Sequence, residues 1–178
     1  MSAETTEKIV EAYVRYVKKW ATIANIKCPG QFEIDLLAIN PISGDRYHIE
    51  SGVSISGGYS QLTTGSFCEA DLKTRVLAAG QRRTLGYFKD RKFSHPQILE
   101  KLQEYGFMPG NYKKVIVSWG WTNEANAQAD DAKITLWDFR DLMQEIADMA
   151  DGKTYFTDDA LRTIQLFVKS RNERPHFK

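Results

Sequence analysis

The chain is poor in several features that would narrow its class at once. Two cysteines in 178 residues, Cys28 and Cys68, make no metal-binding motif. They are too few for a disulfide-stapled scaffold and are expected as reduced thiols. No apolar run approaches the roughly 20 residues a bilayer span needs. The first residues, Met-Ser-Ala-Glu-Thr-Thr-Glu-Lys, lack the positive-then-apolar pattern of a secretory signal. There is no internal repeat, low-complexity tract or linker. A cytoplasmic protein without membrane contact is the default expectation, and this length suits one domain, residues 1–178, with its own core.

Net charge is also nearly absent, at +1, but that sum hides a skewed distribution. Residues 1–70 carry six Lys/Arg against eight Asp/Glu, and residues 115–178 eight against eleven. Residues 71–114 carry ten against four, so only the middle third is suited to face a polyanion.

Ile9, Tyr13, Val17, Trp20 and Ala24 recur at helical spacing and predict an amphipathic helix over residues 5–25. Cys28-Pro29-Gly30 is expected to break it. Residues 32–39 alternate, with Phe32, Ile34, Leu36 and Ala38 on one face and Glu33, Asp35, Leu37 and Ile39 on the other. Apart from Glu33 and Asp35, both faces are apolar, which predicts a strand covered on both sides. Asn40-Pro41-Ile42-Ser43-Gly44-Asp45 has hairpin-turn chemistry. The second strand runs from Arg46 to about Ile55, with His48, Glu50, Gly52 and Ser54 on one face. Gly57-Gly58 permits a sharp bend or mobile loop.

Downstream, residues 60–68 read as a loop and residues 69–80 as a short helix through Leu72, Val76 and Ala79. Residues 81–93 interleave Arg82, Arg83, Lys89, Arg91 and Lys92 with Tyr87, Phe88 and Phe93. Such a run can bind phosphates and stack bases. It can equally be a solvated basic face whose aromatics enter the core. Ser94-His95-Pro96 opens a helix through Ile98, Leu99 and Leu102, closed by Gly106. Residues 113–119 predict a buried strand, Thr122 or Asn123 caps a helix to Ala132, and residues 134–137 predict another strand. A helix through Leu142, Ile146 and Met149 follows, then one over 158–170 capped by Thr157. Strands alternating with helices after a hairpin predict an α/β domain: a central mixed β-sheet flanked by helices.

An initial helix, a hairpin carrying Asp then Glu, another helix and a buried strand together resemble the PD-(D/E)XK nuclease superfamily, which has the restriction-endonuclease-like fold. The residues that carry the resemblance are Glu33-Ile34-Asp35-Leu36-Leu37-Ala38 and Tyr47-His48-Ile49-Glu50. Val115-Ile116-Val117-Ser118 and Ile134-Thr135-Leu136-Trp137-Asp138-Phe139 suit its later part, so the resemblance spans roughly residues 5–150. It implies that Asp35 and Glu50, with the backbone carbonyl of Ser51, coordinate Mg²⁺ or Mn²⁺ for phosphodiester hydrolysis. It implies DNA as partner, a homodimer as a common assembly, no small-molecule cofactor, and a supporting helix acid at Glu11. A solvated surface glutamate is the commoner case for Glu11.

One departure stands out. The family motif ends in Glu-x-Lys, and the lysine position is Gly52 here. Lys73, Lys89 and Lys92 are candidate replacements, with Arg82 and Arg83 as phosphate clamps. His48 shares the face of Glu50 and has the pKa of a base or ligand, although a buried, hydrogen-bonded histidine is more usual. Three readings follow: a metal-dependent DNA nuclease with an altered motif; a non-cleaving relative that binds nucleic acid or a partner protein; or an α/β domain whose acids are structural and paired with Lys or Arg.

Overall fold

The computed structural model describes residues 5–55, 60–73, 80–152 and 155–172. Gly57-Gly58, and Val76 and Ala79 of the helix expected over 69–80, lie outside the described residues.

The predicted first helix is cut short. α1 (Thr5–Ala12) continues as a π-helical turn, Tyr13–Val17, closed by Lys18 N–H donating to Tyr13 O at 3.1 Å. Lys19 then takes φ 60°, and Ala21–Cys28 forms strand β1 instead of more helix. Thr22, Ile23 and Ile26 are β-branched and favour a strand. Moreover, β1 pairs antiparallel with β2 (Phe32–Ile39) from Ala21 opposite Ile39 to Cys28 opposite Phe32. The Pro29–Gln31 turn between them therefore makes a hairpin corner, with Gly30 at φ 68°.

β3 (Arg46–Ser51) pairs antiparallel with β2 through the predicted turn, where Asn40 Oδ1 accepts from Ile42 N–H at 3.0 Å. It ends four residues before Ile55, although Gly52 N–H still donates to Val117 O. β4 (Tyr112–Ser118) and β5 (Ile134–Asp138) extend the sheet in parallel, giving the order β1-β2-β3-β4-β5. The expected mixed sheet is present, with one more strand in its antiparallel half than the sequence patterning indicated.

Helices cover both faces. α1, α5 (Phe139–Asp151) and α6 (Asp159–Asn172) bury Leu36, Ala38, Ile49, Val115 and Val117. Asp158 caps α6 through Leu161 N–H at 3.0 Å, in place of the expected Thr157. On the other face, α2 (Leu85–Tyr87) runs into a π-helical segment, Phe88–Phe93, followed by α3 (Pro96–Glu104) and α4 (Asn123–Asp131). Leu85, Phe88 and Phe93 pack with Ile116 and Ile134, while Ile98 and Leu102 pack with Ile34 and Leu37. Thr122 caps α4 as predicted. Among the described residues, no helix is long and apolar enough to cross a membrane.

Candidate active site

The β2–β3 register brings the two acids together. Leu36 faces Ile49, so one step further along the hairpin Asp35 faces Glu50. Asp35 N–H donates to Glu50 Oε1 at 3.3 Å, and Ser51 N–H donates to Asp35 Oδ2 at 2.8 Å. Asp35 is 8 % exposed and Glu50 0 %. Two carboxylates so buried require positive charge nearby.

Lys92 supplies it. Its ammonium donates to Asp35 Oδ1 at 2.8 Å and to the Glu33 carbonyl at 3.0 Å, and it stands 2.5 Å from Glu50 Oε2. The last contact closes a buried ion pair with Glu50. Burial, then repulsion from Glu50, pushes the Asp35 carboxyl up to about 6 against the pull of Lys92. Burial likewise raises Glu50. Burial alone would depress Lys92, but the two acids outweigh it and hold the ammonium well above its usual range. The triad is short of positive charge by one unit when both acids ionise.

The position the motif gives to lysine is filled differently. A Cβ on Gly52 would come within 2.6 Å of Phe88 Cζ. Phe88 and Lys92 lie four residues apart on the same π-helical segment. One element thus packs a ring against Gly52 and sends an ammonium to the two acids. Of the sequence-derived candidates, Lys92 reaches the acids. Lys73 is exposed at the end of a 3₁₀ turn, Glu69–Lys73, and Lys89 is exposed on the helical segment.

His48 proves to be the buried, hydrogen-bonded kind. It is fully enclosed, with Nε2 at 2.7 Å from Glu50 Oε1 and the edge of Phe93 against its ring. Burial, then the Lys92 charge, lowers its pKa to about 3. The neutral ring therefore donates Nε2–H to Glu50 and is closed to solvent, the more usual of the two cases and not the base or ligand one. Its imidazole signals in an NMR titration should stay those of a neutral ring at pH 5. A midpoint near the ordinary ~6.5 would contradict this placement.

Other expectations need correction. Glu11 sits on α1, across the sheet from the acids, where it pairs with Arg15 at 2.5 Å and accepts from Thr22 Oγ1 at 3.3 Å. Phe88 and Phe93 are buried, so neither can stack a base. Lys92 turns inward and leaves the nucleic-acid-facing set. Arg91 pairs with Glu69 at 2.9 Å and covers the Phe32 ring. Arg83 is half-buried and donates to Val53 O at 3.4 Å, beside Gly52. Arg82 and Lys89 remain exposed.

Among the described residues, no group of three or more His, Cys, Asp and Glu side chains is arranged to hold a metal ion. A two-carboxylate site is what Mg²⁺ commonly uses, with water completing its shell.

No family model matches the chain. No curated protein matches it. A solved structure described as "Protein of Unknown Function AF1548" is similar, with 13 % identity, a TM-score of 0.45, and coverage of 94 % of this chain and 97 % of that one.

Proposed function

We propose that the chain is a metal-dependent DNA nuclease of the PD-(D/E)XK type, with restriction-endonuclease-like architecture, in which Lys92 replaces the motif lysine. The observation that carries this reading is the convergence of Asp35, Glu50 and Lys92 at one point of the sheet. The residues fit a hard divalent cation. Two buried carboxylates face each other, and an ammonium already serves as the bridging cation.

Asp35 and Glu50, with the Ser51 carbonyl, would hold Mg²⁺ or Mn²⁺. When bound, such an ion polarises a phosphoryl oxygen and acidifies water. The chain's own groups do the rest. Lys92, kept protonated by its neighbours, cannot serve as a base at neutral pH; its ammonium stabilises the negative charge that grows on the phosphoryl oxygens. His48 fixes the Glu50 carboxylate through Oε1. Arg82 and Lys89 supply exposed positive charge for the strand.

The test is incubation of plasmid and linear DNA with the protein and Mg²⁺ or Mn²⁺. Cleavage is expected, and its loss in Asp35→Ala. Cleavage that persists unchanged in Asp35→Ala would overturn the reading. The complete burial of Glu50 and its closed pairing with Lys92 favour a second reading, a nucleic-acid- or partner-binding protein that does not cut. It expects salt-sensitive DNA binding without cleavage in either metal.

A further inference from the structure

In a regular strand every second side chain shares a face. β1 and β2 break that pattern at the same level. Ala24 packs on the α1 side of the sheet, whereas Ile26 and Cys28 pack with Ile98 and Leu102 of α3. Leu36 and Ala38 likewise lie on the α1 side, and Phe32 and Ile34 on the α3 side. The pairs Ala24–Leu36 and Ile26–Ile34 bracket the change, and the register is the same before and after it. The two strands therefore roll over together with no residue inserted, and Asn25 and Asp35 stand opposite each other where they do so.

β1 makes the roll through one residue. Asn25 takes φ 55°, the left-handed region, in the middle of a strand. Asparagine tolerates that region better than most residues, and β-branched side chains scarcely enter it. The Asn25 amide oxygen is buried without a hydrogen-bond partner among the described residues, so the position is not held for a bond to that atom. What it supplies is backbone geometry.

That geometry bears on the acids. β2 pairs with β3 from Ile39 to Leu36, where the ladder stops. At the next step the Asp35 N–H turns to the Glu50 carboxylate, and Asp35 Oδ2 accepts from Ser51 N–H. Side-chain carboxylates stand there in place of ladder carbonyls, and Lys92 reaches both. A β1–β2 hairpin that ran straight would keep Asp35 in the ladder and leave no gap for two acidic side chains.

We propose that Asn25 is a positioning residue: its left-handed backbone rolls the far end of the β1–β2 hairpin onto α3 and so opens β2 from β3 for the Asp35–Glu50–Lys92 centre. The consequence for metal binding rests on the nuclease reading; the consequence for Asp35 does not.

The experiment compares wild type, Asn25→Gly and Asn25→Val by backbone-amide NMR without metal and by Mn²⁺ binding, read from the EPR signal of the free ion. Glycine enters the left-handed region freely, so Asn25→Gly is expected to keep the wild-type Asp35 and Ser51 amide shifts and Mn²⁺ affinity. Asn25→Val is expected to fold, because a disfavoured φ at one residue costs a small part of a domain's stability. It should nevertheless move both amide signals and bind Mn²⁺ roughly tenfold more weakly, as when other groups that orient a metal's ligands are changed. A side chain needed only for packing would give the reverse order, since valine is nearer to asparagine in size than glycine is. Wild-type amide shifts and Mn²⁺ affinity in Asn25→Val, or altered amide shifts in Asn25→Gly, would overturn the proposal. If Asn25→Val does not fold, Asn25→Gly decides alone by the same signals. If wild type binds no Mn²⁺ while the amides follow the expected order, the positioning role stands and the nuclease reading falls. If all three proteins bind Mn²⁺ alike with unchanged amides, the role of Asn25 fails and the nuclease reading is untouched.

Discussion

Lys92→Met is expected to lose metal-dependent cleavage by roughly 10²–10³-fold, the usual effect of removing one preorganised charge from a developing oxyanion. The same substitution should cost about 3–5 kcal/mol of stability near neutral pH, because it strands two buried carboxylates without their cation. The pH dependence separates these effects. Folded Asp35 titrates at about 6, above its unfolded value of ~3.9, so its contribution to stability is present below about 4 and lost as pH rises through 6. Without Lys92, which lowers that pKa, the loss moves to higher pH and deepens. His48 acts in the opposite direction: its folded pKa of about 3 lies below ~6.5, so its contribution is present above 6.5 and lost as pH falls. Urea unfolding at pH 5 and pH 8 should show the deficit of Lys92→Met narrowing at pH 5, where its acids take up protons. An equal deficit at both values would mean that Lys92 contributes packing and little charge.

Restoring the motif lysine in the sequence should fail. Gly52→Lys is expected to destabilise by about 1–3 kcal/mol, the cost of overpacking a filled core. The new Cβ would lie 2.6 Å from Phe88 Cζ, and Phe88 is itself buried and cannot swing away. Even Gly52→Ala meets the same ring, so thermal unfolding of the alanine variant isolates the clash from the lysine's charge. In the double variant Gly52→Lys/Lys92→Met, cleavage should stay lost. Recovery of cleavage there would show that the Gly52 position is open to a side chain, against the packing seen.

The hairpin was legible because its chemistry is local. Alternation and turn residues marked two adjacent strands carrying Asp35 and Glu50, while the register that sets the acids opposite each other came from the structure. β1 was hidden because Trp20 and Ala24 happen to extend a helical stripe, while the β2 edge that recruits Ala21–Cys28 is a tertiary partner. The π-helical geometry of Phe88–Phe93 was also invisible. It turns Lys92 inward and Lys89 outward from one basic run, a division that charge counting along the chain cannot make. Between the candidate lysines, only packing separates Lys92, which meets both acids, from the exposed Lys73.

The most direct measurement is a crystal soaked in Mn²⁺ and read by anomalous scattering. A single strong peak is expected, bound by both Asp35 and Glu50, with the Lys92 ammonium displaced from between them yet still beside the site. A crystal that takes up no Mn²⁺ at the acids, with Lys92 still bridging the two carboxylates, would contradict it and leave the triad as a structural ion pair.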